Sequence, residues 1–410
     1  MKIAIFTDCY LDLTGGITSS ITAQKSALEA DGHTVYIFST SYPVSTEVRQ
    51  KLAKKHIFPV PSCRLLFRGI TPVSRRPSIV EKWLLRERPE LKDFDIFYVH
   101  YEGGCSIAGL RLAKKLHIPS VQVMHGREDM GEASIIPLGF RTIVAFLLNM
   151  FHSWYLPHPV TVHRDDYLAD TIAKAKMWTL MVNHANYADV VITPSRHFRK
   201  KLLHYGVMRD IKLFPNGYPD SKFPPAPHVR ILRPGEELKI VWHSRLSGEK
   251  RFLPFLRALS QVDGKYRLDV YGGGTDLARA RRYASRHHLR VIFHGDTKFD
   301  TVQRALLSSH LDVLASYNFD NYPMTLVEAE AAGLPVLICD PDMKEIVPSG
   351  SYILSRDESP AAMATALAQL LRTPDSIHAM SKIMLAHRDE VLISRRIKTL
   401  EKIFNDIIKP

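Results

Sequence analysis

The sequence alternates between short β-branched apolar runs and stretches of helical spacing, and after a break it starts the alternation again. Lys2–Thr7 is a strand-like run, Ile17–Ala30 has helical spacing, and Thr34–Ser39 is the next strand. Asp95–Tyr101 and Ser120–His125 read as buried strands with a helix at Ser106–Leu116 between them, and Val190–Pro194 and Lys212–Pro215 close this half. Alternation of this kind means a parallel sheet with helices on both faces. Asn216-Gly-Tyr-Pro-Asp-Ser-Lys-Phe-Pro-Pro-Ala-Pro is loop chemistry. Beyond it come strand-like runs at Leu238–His243, Leu268–Tyr271, Val291–His294, Leu311–Ala315 and Pro335–Cys339. A chain of 410 residues is too long for one ordinary core. The expectation is two α/β domains joined near residues 217–236.

Bulk properties narrow the class. With 45% hydrophobic and 24% charged residues the chain reads as a soluble globular protein. The opening run is short and reaches Asp8, so it reads as a strand and not a signal peptide. No apolar run approaches the ~18 residues needed to cross a bilayer. Cys9, Cys63, Cys105 and Cys339 are scattered and form no C-x-x-C pair, which argues against a zinc site or a disulfide framework and fits a reducing cytoplasm. The net charge is +13, and Arg49–Lys92 holds twelve Lys/Arg against three Asp/Glu. A concentrated basic face suits nucleic acid, anionic lipid or an anionic substrate, although a plain solvated surface has the same composition. No nucleic-acid recognition motif accompanies it, so no nucleic-acid partner is expected.

The chemistry concentrates in Ser316-Tyr-Asn-Phe-Asp320-Asn-Tyr-Pro-Met324-Thr325-Leu326-Val-Glu328, followed by Gly333-Leu-Pro335-Val336. A strand end becomes a helix start, with Asp320 in the loop and Glu328 inside the helix. Free backbone N–H groups at such a helix start bind phosphate, and flanking carboxylates hold sugar hydroxyls. An ordinary strand–loop–helix of an α/β domain has the same outline. Val241-Trp-His-Ser-Arg245-Leu-Ser-Gly-Glu-Lys250-Arg251 adds two cations five residues apart across a glycine-containing loop. Arg supplies a planar fork and Lys a point charge, which suits two successive phosphates, and an exposed salt-bridged loop also fits. Thr14-Gly15-Gly16-Ile17 is a glycine loop ahead of the first helix, open to phosphate approach or to a plain tight turn. There is no G-x-G-x-x-G fingerprint and no Walker lysine. Val270-Tyr-Gly-Gly273-Gly274-Thr and Phe293-His-Gly295-Asp296-Thr-Lys298 are further strand-end turns. His125 ends a strand in Val-Met-His125-Gly-Arg-Glu-Asp, with His100 ending the neighbouring one. An imidazole there fits hydrogen bonding or proton handling near neutral pH.

Together these segments resemble retaining family 4 glycosyltransferases, whose donor motif is an acid, seven residues, then Glu. The first acid here is Asp320 where Glu is usual. The opening Ile-Phe-Thr-Asp-x-Tyr…Gly-Gly-Ile is similar to bacterial members that glucosylate diacylglycerol. The resemblance implies the GT-B fold: two Rossmann-like α/β domains with parallel sheets facing each other across a cleft. It implies an acceptor domain at 1–216, a nucleotide-sugar domain at 217–390, and a last helix at 391–410 crossing back to the first domain. It implies catalytic roles for His125, Arg245, Lys250 and Asp320. It implies donor binding by Gly15, Gly16, Arg245, Lys250, Gly273, Asp296, Asp320, Met324, Thr325, Leu326 and Glu328, with Asp320 on the donor sugar and Glu328 on the ribose. The leaving phosphate takes the acceptor proton in this family's usual scheme, so no protein base is assigned. No metal and no cofactor are expected. The expected activity is transfer of a hexose, UDP-glucose the favoured donor, to a lipid such as diacylglycerol. A polysaccharide, a teichoic-acid polymer or a protein is the alternative acceptor.

Two patterns lead elsewhere and fail. His163-Arg-Asp165 lacks the Asn and the glycine loop of a kinase. Asp93-Phe-Asp95 precedes its strand, unlike a metal-binding Asp pair. On the acceptor side, residues 140, 143, 144, 147, 148, 151, 154 and 155 form an amphipathic helical pattern with Phe140, Phe151, Trp154 and Tyr155. Arg127 and Arg141 precede or open it, and Arg64, Leu65, Leu66, Phe67, Arg68, Arg75 and Arg76 mix basic and apolar character. Such a surface suits an anionic membrane interface, and the helix alone equally suits packing on its own core. The expected location is the cytoplasm, peripherally on the inner face of the cell membrane.

Overall fold

The structure, a computed structural model, describes residues 1–9, 15–42, 45–66, 70–127, 129–130, 136–225 and 227–408, without the side chains of 64–66, 70–72 and 138. The chain forms two compact units: Met1–Pro215 with Arg396–Pro410, and Asn216–Arg395.

The first unit is built on β1 (Lys2–Thr7), β2 (Thr34–Ser39), β3 (Ile57–Pro59), a hairpin of β4 (Ser62–Leu66) with β5 (Ile70–Ser74), β6 (Ile96–His100), β7 (Ser120–Val123), β8 (Val190–Thr193) and β9 (Ile211–Leu213). Seven of these strands form one sheet in the order β3-β2-β1-β6-β7-β8-β9, and every pairing within it is parallel. β1 is central, and Ile3, Ala4, Ile5 and Phe6 are fully buried. That explains its unbroken apolar run, because a strand covered by helices on both faces has no polar side. β3 and the antiparallel β4–β5 hairpin were not legible in the sequence: each strand is five residues or fewer, and Pro59 and Pro72 interrupt the pattern.

The second unit repeats the architecture with β10 (Leu238–His243), β11 (Tyr266–Tyr271), β12 (Val291–Gly295), β13 (Leu311–Leu314), β14 (Val336–Ile338) and β15 (Tyr352–Leu354). Their order is β12-β11-β10-β13-β14-β15, with parallel pairing throughout. This is a doubly wound, Rossmann-type order, in which the chain reverses direction across the sheet between β10 and β13. Ligands of such sheets bind outside the carboxyl ends of the strands flanking that reversal. Trp242, Phe252 and Phe255 fill one face of the core, with Trp242 and Phe252 rings 4.7 Å apart.

The Pro- and Gly-rich stretch after Pro215 is docked and not slack. Tyr218 N–H donates to Val391 O at 2.7 Å, and Ile393 N–H returns to Tyr218 O at 2.9 Å. A Cβ on Gly217 would lie 2.6 Å from Ile393 Cδ1, so only glycine lets these segments touch. The last helix, Ile393–Ile408, continues onto the first unit. There Phe404 meets Tyr98 edge-on at 5.1 Å and Glu401 pairs with His33 at 2.9 Å.

The amphipathic stretch forms a helix over Arg141–Ser153. Its inward side is Ala145 and His152, whereas Ile143, Phe146 and Leu147 point outward, as do Phe140 and Trp154 at its ends. The stripe expected from spacing is thus only partly a core-facing stripe. Phe151 and Tyr155 pack inward against the core, and much of the rest faces away from it. No helix among the described residues is long and apolar enough to cross a membrane.

Candidate active site

In the second unit the strand ends β10 and β13 carry the predicted residues. The segment 244–247 after β10 lies backbone to backbone against 272–274 after β11. Leu246 N–H donates to Gly273 O at 2.8 Å, and Asp276 N–H donates to Leu246 O at 2.8 Å. A Cβ on Gly272, whose φ is 122°, would sit 2.6 Å from Ser244 O, so the glycine run is required for this approach. Gly273 faces Asp296: a Cβ there would meet Asp296 Oδ2 at 3.2 Å.

After Leu246 the chain makes a tight turn over Gly248–Lys250 and leaves through Arg251 at a left-handed φ of 60°. That turn drives Lys250 inward. Its Nζ donates to Asp320 Oδ1 and Oδ2 at 2.7 and 2.9 Å, and it lies 5.1 Å from the centre of the Phe319 ring. Ser316 Oγ donates to Asp320 Oδ2 at 2.5 Å. Asp340 fixes the same loop by accepting from Asn318 N–H at 2.7 Å. Arg245 stays outside, its side chain 63% exposed, against Glu249 at 3.2 Å. An exposed pair of this kind is worth ~0–1 kcal/mol, so the guanidinium is free to turn toward a ligand anion.

The helix Met324–Ala331 begins directly after Asp320-Asn-Tyr-Pro. Met324 and Thr325 supply N–H groups that a helix cannot satisfy internally. Leu326 N–H is already bonded to Pro323 O at 3.1 Å and its side chain is fully buried, so it belongs to the core more than to the surface of the site. Thr325 Oγ1 is buried without a hydrogen-bond partner among the described residues. One turn further, Glu328 Oε2 lies 3.1 Å from His243 Nδ1, and His243 Nε2 lies 3.1 Å from Asp312 Oδ2. Burial alone would lower the His243 pKa. Asp312 and Glu328 overcome this and raise it to about 10, so the ring is an imidazolium.

Arranged this way, the unit offers a lysine, a redirectable arginine and open helix N–H groups for an anion, with Asp320 and Glu328 as hydroxyl acceptors. No group of three or more His, Cys, Asp or Glu among the described residues is placed to hold a metal ion. The sequence model of Glycosyltransferase Family 4 matches residues 14–222, half of the chain, and that of Glycosyl transferases group 1 matches 237–373. The chain belongs to glycosyltransferase family 4. Alpha-monoglucosyldiacylglycerol synthase of Streptococcus pneumoniae is 23% identical over 82% of this chain and 70% of its own. Lipopolysaccharide 1,6-galactosyltransferase of Escherichia coli is 28% identical over 38% of this chain and 45% of its own. S. aureus TarM, solved with UDP and alpha-GlcNAc-glycerol, matches with a TM-score of 0.69 at 13% identity over 100% of both chains, a likeness of fold.

The first unit of this family 4 enzyme holds the remaining predicted residues. Gly15 precedes and Gly16 opens the Gly16–Ala30 helix. A Cβ on Gly15 would meet nothing within 4 Å among the described residues. Thr14 lies outside the described residues, as do Phe67 and Arg68. His125 follows β7 and remains partly exposed. Its Nε2 lies 2.7 Å from His100 Nδ1. His100 is fully buried and its Nε2 has no partner among the described residues. A bare lone pair is cheaper to bury than an unpaired N–H, which favours His100 donating from Nδ1 to His125. Burial lowers both rings, His125 to about 4, so both are neutral at pH 7.

Sequence reasoning missed three supports in this glycosyltransferase. Asp8 accepts from Cys105 and Ser106 N–H at 2.9 and 3.0 Å and from Ser74 and Ser106 hydroxyls, closing the helix start at the reversal between β1 and β6. Arg127 and Asp129 form a buried pair just beyond His125. Asp312 and His243 sit behind Glu328. The strand-end position of His243 and Asp8 was the only sequence signal available.

Proposed function

We propose that this enzyme is a retaining hexosyltransferase that moves a sugar, glucose from UDP-glucose as the favoured donor, onto a lipid acceptor such as diacylglycerol. The observation that carries the reading is the Lys250–Asp320 pair beside the open start of the Met324–Ala331 helix, with Glu328 one turn on. Lys250, Arg245 and the helix N–H groups neutralise the charge that grows on the departing diphosphate, without a metal ion. Asp320 holds a hydroxyl of the donor sugar and Glu328 the ribose. His125, neutral and with Nε2 turned to His100, donates a hydrogen bond at the sugar. The acceptor attacks on the face from which the phosphate leaves, and that phosphate takes its proton.

The lipid acceptor is supported by the outward apolar face of the first unit. Phe140, Ile143, Phe146 and Trp154 are 61, 56, 54 and 67% exposed. Aromatic and aliphatic side chains on one helix, in a domain rich in Lys and Arg, suit peripheral docking on an anionic membrane surface. The name of the S. pneumoniae relative points the same way. The E. coli relative favours a saccharide acceptor as the second reading.

Release of nucleoside diphosphate from a panel of sugar nucleotides, with and without liposomes of diacylglycerol and anionic lipid, tests the proposal. Turnover that requires liposomes supports it and names the donor. Turnover indifferent to lipid moves the acceptor to a saccharide or another soluble molecule. No release from any donor overturns the catalytic reading.

A further inference from the structure

The transfer reading leaves His243 without a role, yet this ring is gripped by two carboxylates. It ends β10, and Asp312 lies on the adjacent strand β13. Exposure rises outward along the row: Asp312 side chain 0%, His243 3%, Glu328 21%. Both carboxylates only accept hydrogen bonds, so a neutral imidazole would turn a lone pair toward one of them. The ring therefore carries both protons. Asp312 is what charges it: its Oδ1 has no hydrogen-bond partner among the described residues, and a fully buried carboxylate requires a cation beside it.

We propose that His243 is a positioning residue for nucleotide binding, in which the buried Asp312 holds the ring charged and the ring in turn locks Glu328 as an oriented carboxylate. This rests on the assignment of Glu328 to the ribose. With Oε2 facing His243 and the side chain 21% exposed, Glu328 offers its other oxygen, Oε1, to ribose hydroxyls. A carboxylate fixed beforehand loses no rotamer freedom when the nucleotide binds, and an anion accepts from a hydroxyl more strongly than a carboxylic acid does. Removing His243 lets Glu328 rotate or take up a proton, and the loss is felt at the ribose alone.

The test is calorimetric binding of UDP, ADP and GDP and of their 2′,3′-dideoxy counterparts to the wild-type protein and to His243→Leu. The expected result is a loss of about tenfold in affinity for the preferred ribonucleotide, the size of one charge-assisted hydrogen bond, and little change for its dideoxy form. In a Glu328→Gln background His243→Leu should then add nothing. In turnover the donor KM rises while kcat holds. Equal losses on ribo and dideoxy forms, or full additivity with Glu328→Gln, overturn the proposal. If His243→Leu fails to fold because Asp312 is left charged, His243→Leu with Asp312→Asn removes both charges and carries the same comparison. A wild-type protein that binds ribo and dideoxy forms alike overturns the ribose assignment beneath it, and one that binds none of the three nucleotides overturns the transferase reading itself.

Discussion

Lys250 sets its ammonium between both oxygens of Asp320, at 2.7 and 2.9 Å, with each side chain 11% exposed. Each charge is thus balanced by the other in a half-enclosed setting. Two of the three ammonium protons face Asp320, which leaves a third donor on Lys250. Asp320, one methylene shorter than Glu, is also tied to Ser316. Its position is therefore set by the protein and not by the sugar.

Lys250→Ala should lower transfer by about 10²–10³-fold or more while the protein stays folded, because it removes the fixed charge at the leaving group. Glu328→Ala should likewise abolish transfer without unfolding. Steady-state turnover alongside a thermal melt checks both. Normal turnover in a well-folded Lys250→Ala protein would sink the phosphate assignment.

Alkali should destabilise the second unit. The folded His243 holds its proton up to about pH 10, against about 6.5 when unfolded. Its contribution is full below 6.5 and shrinks as pH rises toward 10, by about 1.4 kcal/mol per pH unit. Hydrogen exchange of β10 and β13 amides, normalised for intrinsic rates, should speed up between pH 7 and 9.5. His243→Leu with Asp312→Asn should flatten that dependence.

Acid should act on the first unit. His100, His125, His152 and His184 are lowered, chiefly by burial, His125 to about 4 and His184 to about 3. The unfolded chain takes up their protons first, so stability falls as pH drops below 6.5. His152, on the Arg141–Ser153 helix, hydrogen-bonds His158 at 2.6 Å and His184 at 3.0 Å, and acid puts two N–H groups face to face there. The melting temperature should drop between pH 7 and 5, with that helix exchanging first.

Phe146→Asp and Trp154→Ser should each weaken binding to anionic liposomes about tenfold or more, since each withdraws one large apolar side chain from the interface. Donor hydrolysis without lipid should be unchanged. Flotation assays that show no difference would remove the membrane contact.

Gly217→Ala should cost about 1–3 kcal/mol, because the new methyl meets Ile393 and overpacks the bridge between Tyr218 and Leu392. A melt showing no shift would mean that Ile393 can retreat.

Much of the architecture is legible in the sequence alone. Strand–helix alternation with a restart after residues 217–236 leaves little choice but two parallel sheets, because buried β-branched runs separated by helices cannot pair otherwise. The spacing of Asp320 and Glu328 around a helix start, and of Arg245 and Lys250 around a turn, was legible from local chemistry alone, and the structure joins Lys250 to Asp320. Less legible was the amphipathic helix at 141–153: periodicity reports that a helix has faces, not which face turns inward, and here a histidine points in while Phe146 points out.

Long-range pairing was invisible in the sequence. Asp312 and His243 stand 69 residues apart, Asp8 and Ser106 98, and Arg230 donates to the Gly333 carbonyl from 103 residues away. No local rule links such residues. The alternation and the motifs are consequences of periodicity and spacing, which neighbouring residues carry. Whether a buried charge is balanced, and whether an imidazole is neutral like His100 or cationic like His243, depends on which strands become neighbours, because in a desolvated interior one carboxylate across the sheet reverses the sign of the shift.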